Sequence, residues 1–220
     1  VEAGVVIAAD GVEAQVGRWA GLAVQLPLAD TMVCAQYLLA GVDIDPACTC
    51  YTIHDDVAPG GYAWVFPKGE GRANVGLGVQ ADLPDAPGAA FRCLERFVEN
   101  DPRLARGYPV TLIAGNVPVA RPPARLVGDG IMLVGDAARQ VDPLTGGGII
   151  NAMVAGKLAG EVAVGAIQAG DTSASALAPY EAAWREGVGR RMERNYRLRE
   201  RFAPGERADE RFVRAFALAV

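Results

Sequence analysis

The sequence is poor in metal-binding residues. Its 220 residues include one histidine, His54, and the four cysteines, Cys34, Cys48, Cys50 and Cys93, form no Cys-x-x-Cys pair. Zinc sites draw on such pairs or on histidines at fixed spacing, so no metal site is expected. A disulfide framework is equally absent, which points to a reducing, cytoplasmic compartment. Cys48 and Cys50 lie two apart in CTCYTI, where strand alternation predicts that both face one side and are buried together.

Basic runs among aromatics are missing until the last forty or so positions, and the formal charge is −5. That excludes a nucleic-acid surface as the main function and favours a small-molecule partner. No charged segment followed by an apolar core and a cleavage site opens the chain, so no signal peptide is expected. VEAGVVIAADG begins without Met and inside a strand-like run, and the expectation is that a segment precedes it. Only residues 149–168 are apolar enough over enough length to pass for a membrane span, with Gly156 and Gly160 at GxxxG spacing. Lys157 and Glu161 at the middle would be costly in a bilayer, so a helix buried within a soluble fold is expected.

What the chain does have is a 51% hydrophobic composition, enough for a substantial core in one or two domains. GVVIAAD reads as a strand, followed by a turn into a short helix. MVCAQYLL, CTCYTI, YAWVF and RANVGLGV then alternate between Gly, Pro and Asp breaks, the pattern of an antiparallel sheet. The last two strands are joined through a loop expected at Pro67 to Gly71. Residues 87–100 place Phe91, Leu94, Phe97 and Val98 at helical spacing, and TLIAGNVPV returns as a strand. GIMLVGD reads as a parallel strand buried on both faces. From Ala174 the chain is helical and charged, with Trp184, Val188, Met192 and Tyr196 recurring every four residues. The fold class is therefore α/β, α+β overall, with an antiparallel insert.

GIMLVGDAARQVDPLTGGGIINA, Gly130 to Ala152, combines a strand, a turn with an aspartate, and three glycines opening an apolar helix. In open α/β sheets, ligands sit beyond the carboxyl ends of the strands, where helix N-termini point outward. Asp136 can accept from hydroxyls, and Gly146, Gly147 and Gly148 let a ligand touch the backbone. A polyol joined to a ring that becomes electron-rich, as in a flavin, matches both features. The competing reading is a tight turn capped by Asp142 or Thr145, with small residues serving only packing. Spacing alone leaves the two readings even.

The same segment resembles the second flavin-binding motif of FAD-dependent oxidoreductases of the aromatic-hydroxylase type, on Gly135, Asp136, Ala137, Ala138, Pro143 and Gly146 to Gly148. ADGVEAQVGRWAG resembles the Asp-Gly motif of that superfamily through Asp10 and Gly11, with Ala14 where a serine is common. PGGYAWVFPKGEGRANVGLGV is similar to the geranylgeranyl reductase family at Pro59, Tyr62, Trp64, Phe66, Pro67, Lys68, Gly69, Asn74, Val75 and Gly76. The resemblance covers about Val5 to Arg201. It implies a Rossmann-like FAD-binding domain, in part, with an inserted antiparallel-sheet substrate domain and a C-terminal helical region. The corresponding divisions are 1–28, 29–118, 119–170 and 171–220.

The resemblance also implies FAD, held by Asp10, Gly11, Gly135, Asp136, Pro143, Thr145, Gly146, Gly147, Gly148 and Ile149. NAD(P)H or ferredoxin stands as the undetermined electron donor. The implied activity is saturation of double bonds in an isoprenoid lipid, with Pro59, Tyr62, Trp64, Phe66 and Pro67 at the substrate. The rival readings are a monooxygenase or halogenase on the same scaffold, or a non-catalytic lipid-binding fragment. No catalytic acid is assigned, and no GxGxxG fingerprint occurs in the chain, so the fragment alone is expected to be inactive.

Tyr62, Trp64 and Phe66 fall on one strand face, either as a wall for an isoprenoid chain or as core beneath the helix bearing Phe91. The arginines from Arg185 to Arg214 are interleaved with Glu186, Glu193, Glu200, Glu206 and Glu210. A solvated helix face is the first reading. Peripheral membrane contact through anionic headgroups, or a substrate diphosphate, is the second.

Overall fold

A computed structural model describes residues 2–23, 25–83, 88–201 and 210–219. In chain order the elements are β1 (Val6–Ala8), α1 (Gln15–Trp19), β2 (Thr31–Ala40), β3 (Cys50–Thr52), β4 (Tyr62–Gly69), β5 (Arg72–Gln80) and α2 (Ala89–Asn100). They continue with β6 (Tyr108–Pro118), β7 (Val127–Gly128), β8 (Ile131–Leu133), α3 (Ile149–Ala169), α4 (Ala174–Trp184), α5 (Arg190–Glu200) and α6 (Glu210–Ala217). The chain divides into two units, one built from residues 1–27 and 118–201, the other from residues 28–117 and 202–218.

In the first unit β1 pairs in parallel with β8, Val6 opposite Ile131 and Ala8 opposite Leu133, and β7 pairs antiparallel with β8. The expected parallel strand is thus present. Met132 and Leu133 are fully buried against Leu177, Tyr180 and Trp184. Each such side chain contributes roughly 2 kcal/mol through burial.

The helix α3 corrects the expectation of a buried helix. Its buried residues are Asn151, Ala155, Ala159, Ala163 and Ala166, while Ile149, Ile150, Met153, Val164 and Ile167 are exposed. The alanines recur at helical spacing, and their small side chains set that face against α4. The larger apolar residues lie on the other sides. Lys157 and Glu161 form an exposed pair at 3.8 Å near the helix midpoint. Among the described residues α3 is the one helix long and apolar enough to cross a membrane.

The charged helical stretch is not continuous either. At Arg185–Gly189 it kinks, where Gly187 leaves the helical conformation (φ −84°, ψ −107°) between α4 and α5.

The second unit is a five-stranded sheet in the order β3-β4-β5-β2-β6, in which β3 with β4, β4 with β5 and β5 with β2 pair antiparallel. The loop expected at Pro67 to Gly71 is tighter than predicted. Pro67 and Lys68 remain in β4, and the turn is Glu70-Gly71, both residues at positive φ (52° and 64°). Two left-handed residues match the right-handed twist of the flanking strands, and a bulge between Pro67 and Gly69 absorbs the register change. The helix expected over 87–100 runs from Ala89, and Pro87 lies outside the described residues. The paired burial expected of Cys48 and Cys50 does not occur. Cys48 is exposed in a turn, its Sγ 3.3 Å from Asp45 Oδ2, because β3 begins only at Cys50.

Candidate functional site

The Gly-Asp turn emerges from the carboxyl end of the parallel pair. Val134 N donates to Ala8 O at 3.0 Å, so the chain following β1 and the chain following β8 leave the same edge of this sheet. Gly135 adopts φ 63°, a left-handed conformation that a side chain would strain. Its N–H donates to Gln140 Oε1 at 2.7 Å, Gln140 Nε2 donates to the Tyr180 hydroxyl at 3.0 Å, and that hydroxyl donates to Leu133 O at 2.6 Å. Gln140 and Tyr180 are fully buried, and burial pushes the Tyr180 phenol up to about 12. This chain of bonds fixes the end of β8 and the start of the turn together. Neither Gln140 nor Tyr180 was identified from sequence; a glutamine immediately after the motif was the only local signal.

Asp136 is half-buried, and burial raises its carboxyl above the ordinary carboxylate range. No hydrogen bond to that carboxylate occurs among the described residues. A Cβ added to Gly148 would stand 3.4 Å from Asp136 Oδ1 and 3.0 Å from Val141 Cγ2. The acid of the turn and the bare start of α3 are therefore neighbours.

The intervening loop is held from within. Asp142 is buried; its Oδ1 accepts from Leu144 N at 3.0 Å and Thr145 N at 3.2 Å, and its Oδ2 accepts from Asn195 Nδ2 at 2.6 Å. Gly146, at φ 67°, donates to Asp142 O at 2.8 Å. Asp142 and Thr145 thus shape the loop rather than cap the helix, and α3 has no side-chain cap. Asn151 joins Gly147 O at 3.2 Å to Arg191 Nη2 at 3.2 Å and so ties the first turn of α3 to α5.

The other predicted residues fall as follows. Pro143 is buried, Thr145 half-buried, and Ile149 largely exposed. Asp10 Oδ2 accepts from Val16 N at 2.8 Å, Gly11 lies at φ 79° and Ala14 at φ 45°. The Asp-Gly turn therefore launches α1.

In the second unit the aromatic strand separates the two readings. Ala63 and Val65 turn into a core that includes Val75, Leu77, Leu94 and Leu104. Tyr62, Trp64 and Phe66 occupy the opposite face and are half-buried, so they are not the core beneath α2. Strand pairing sets rows across this face: Gln36, Gly76 and Trp64 in one, Cys34, Gly78 and Tyr62 in the next. Trp64 Nε1 donates to Gln36 Oε1 at 2.9 Å, and its indole occupies the space a Cβ on Gly76 would need. Tyr51 on β3 meets Tyr62 at 5.8 Å and Phe66 at 5.5 Å between ring centroids, while Trp64 and Phe66 stack at 6.0 Å. Burial pushes the Cys34 thiol up to about 12, which keeps it protonated. Pro67 alternates to the face of Ala63 and Val65, and Pro59 lies in the loop before β4. Sequence reasoning missed Phe216 of α6, which is buried and packs on Tyr62 at 4.9 Å and Tyr51 at 5.5 Å.

Comparison with known proteins now adds to this geometry. Residues 30–117 match the model of the geranylgeranyl reductase catalytic domain. The chain is 50% identical over 202 residues to the digeranylgeranylglycerophospholipid reductase of Methanothrix thermoacetophila, covering 92% of this chain and 51% of that protein. Among solved structures it superposes on a geranylgeranyl bacteriochlorophyll reductase-like protein of Thermoplasma acidophilum with a TM-score of 0.86 at 43% identity, covering 91% of this chain and 50% of the other. A flavin-dependent brominase superposes with a TM-score of 0.65 at 20% identity, over 86% of this chain and 48% of that one, a likeness of fold alone.

The fold is thus that of the flavin-dependent oxidoreductases and halogenases, with the antiparallel sheet and C-terminal helices they share. Within that class the chain is similar to geranylgeranyl reductases, through the catalytic-domain match over residues 30–117 and through these relatives. It spans about half the length of the curated relatives it matches. A flavin needs an acceptor for its polyol, backbone open to close approach and a helix end without a cap. Asp136, Gly146 to Gly148 and the uncapped α3 supply all three, so the residues present fit the group.

Proposed function

We infer that the complete protein is an FAD-dependent reductase that saturates double bonds in the isoprenoid chains of a geranylgeranyl-bearing glycerophospholipid. One observation carries this reading. The segment that matches the geranylgeranyl reductase catalytic domain presents Tyr51, Tyr62, Trp64 and Phe66 away from its own core, on a face that an apolar chain can cover. Each isoprenoid methyl or methylene buried there would contribute about 0.8 kcal/mol, which few polar contacts could replace.

On the cofactor side, Asp136 would accept from the polyol hydroxyls, and Gly146, Gly147 and Gly148 would lie against the ring edge. The N-terminus of α3 would stabilise negative charge there. Asp10 and Gly11, at the same edge of the small sheet, would complete this part of the site, together with Pro143, Thr145 and Ile149. When bound and reduced, the flavin would supply a hydride to one alkene carbon while a proton adds to its neighbour. The chain's own contribution is to hold the two partners and to exclude water. The division of labour is that of a cofactor part in residues 1–28 and 119–170 and a substrate part in residues 29–118. A segment bearing the GxGxxG fingerprint, which the family resemblance implies, would bind the nucleotide half.

The test is anaerobic incubation of the complete protein with reduced FAD and a geranylgeranyl lipid, followed by mass spectrometry. Gain of two hydrogens per double bond is the expected result. Oxygen-dependent hydroxylation or halogenation instead would overturn the reading.

A further inference from the structure

The aromatic face of β4 is not uniformly open. Within the second unit, Tyr51, Tyr62 and Phe216 form a closed triangle of rings, 5.8, 4.9 and 5.5 Å between centroids, with planes inclined at 62°, 66° and 70°. Each pair meets edge to face, an arrangement that aromatic quadrupoles favour. Trp64 and Phe66 are disposed differently. Their planes lie 21° apart at 6.0 Å, so the two rings form a nearly flat floor. That floor meets the triangle at Tyr62, whose centroid is 5.6 Å from that of Trp64.

Strand register accounts for the flatness. Trp64 stands opposite Gly76 on β5, and Gly76 opposite Gln36 on β2. The indole can therefore lie across a residue with no side chain and reach Gln36 Oε1 at 2.9 Å. A Cβ on Gly76 would come within 2.6 Å of that indole.

Phe216 is the member of the triangle that does not belong to the sheet. It comes from α6, outside the catalytic-domain match over residues 30–117, yet at 4% exposure it is more buried than Tyr51 or Tyr62. Among the described residues it makes no ring contact with Trp64 or Phe66, which remain half-buried. The face is thus closed at its Tyr62 end and partly open along the floor. An apolar chain with a polar headgroup would lead with its hydrocarbon end. Lying on Trp64 and Phe66 and running toward Tyr62, it would meet the triangle end-on, where further carbons have no room without displacing Phe216.

Resting on the reading above that this face takes an isoprenoid chain, we propose that Phe216 determines specificity: it is the stop for the hydrocarbon end and sets the longest chain accepted. An enclosed apolar end discriminates by length because each added carbon must be fitted or excluded.

The experiment uses the complete protein and glycerophospholipids carrying farnesyl, geranylgeranyl or geranylfarnesyl chains, each one isoprene unit longer than the last. Affinity is measured by calorimetry in detergent micelles with oxidised flavin, and kcat/KM with reduced FAD under anaerobic conditions. The parent should discriminate against the geranylfarnesyl lipid. Phe216→Ala should raise the ratio of geranylfarnesyl to geranylgeranyl about tenfold or more in both measurements, since a single methylene in an apolar pocket is worth roughly 10–200-fold. Phe216→Leu, which keeps an apolar anchor for α6, should shift the ratio in the same direction by less. Farnesyl values should hold, because the shorter chain ends before the stop. Phe216→Trp should lower geranylgeranyl values relative to farnesyl, and Leu218→Ser, at an 89% exposed residue, should match the parent.

Equal losses for all three chains with a lower melting temperature would mean that Phe216 only anchors α6. That result, a parent that does not discriminate by length, or an unchanged ratio in both Phe216→Ala and Phe216→Leu would each overturn the proposal. Binding of the chains without reduction would remove the reductase reading, and the affinity ratio would then decide the role of Phe216 alone. Reduction with an unchanged ratio would do the opposite, and no binding of any chain would overturn both.

Discussion

The turn after β8 and the aromatic face of β4 are held in place by different physics. At the turn, the Gly135 N–H, the Gln140 amide and the Tyr180 hydroxyl form a buried series of hydrogen bonds. On β4, the rings are half-buried and rest on cross-strand neighbours, with Gly76 as the seat of Trp64. A buried network fails abruptly when one member is lost, because the others keep their desolvation cost without their partner. Ring contacts on a partly open face weaken in proportion to the area removed. The turn that carries the Asp136 carboxylate is thus anchored by polar bonds, and the rings of β4 by interchangeable contacts.

The sharpest test of this contrast is Gln140→Leu. It leaves the buried Gly135 N–H without its acceptor and should cost about 2–3 kcal/mol in urea unfolding. A loss below about 0.5 kcal/mol would mean that the network does not hold the turn.

Trp64→Ala should cost less, about 1–2 kcal/mol of stability for a half-buried ring. In the complete protein it should weaken prenyl-lipid binding roughly tenfold, equivalent to about 1.4 kcal/mol, while the flavin absorption spectrum stays unchanged. A spectral change together with collapse of the fold would make the ring structural.

Gly148→Ala should barely move stability, because a small shift of Val141 accommodates the methyl, which stands 3.0 Å from Val141 Cγ2. Flavin retention by the complete protein should nevertheless fall, as the methyl closes the approach beside Asp136. Unaltered retention on a desalting column would show that no ligand uses that approach.

The smallest effect is expected from Asp136→Asn, and its sign is the informative part. Burial raises the folded carboxyl above its unfolded value, so the folded chain binds more protons between the two values. Stability of the parent without cofactor therefore falls as pH rises from the ordinary carboxylate range through the raised folded value, and levels off above it. Asparagine should remove that decline and stabilise the empty chain at neutral pH, while flavin affinity drops. Parallel losses of stability and affinity would indicate a structural carboxylate.

Much of this organisation was legible in the sequence. Period-two alternation located β2, β4 and β5, and Asp136 with Gly146 to Gly148 marked a strand, turn and helix start that fold as neighbours. The orientation of α3 was not legible. Its residues are apolar on nearly every side, so periodicity could not tell the packed alanines from the exposed Ile149, Ile150 and Met153. The expected burial of Cys48 failed for a local reason, since the turn from Asp45 continues to that residue and strand alternation starts only after it.

Amino-acid order alone determined which segments are strands and helices, where left-handed backbone is needed, and which family motifs the chain resembles, because these depend on residues within about ten positions of one another. Tertiary structure decided that Tyr62, Trp64 and Phe66 face away from the core, that Tyr180 locks a turn forty residues earlier, and that Arg121 bridges Glu193 and Glu200 of α5. Those outcomes rest on contacts between distant segments, where burial and charge pairing depend on which partner the fold delivers and not on local pattern.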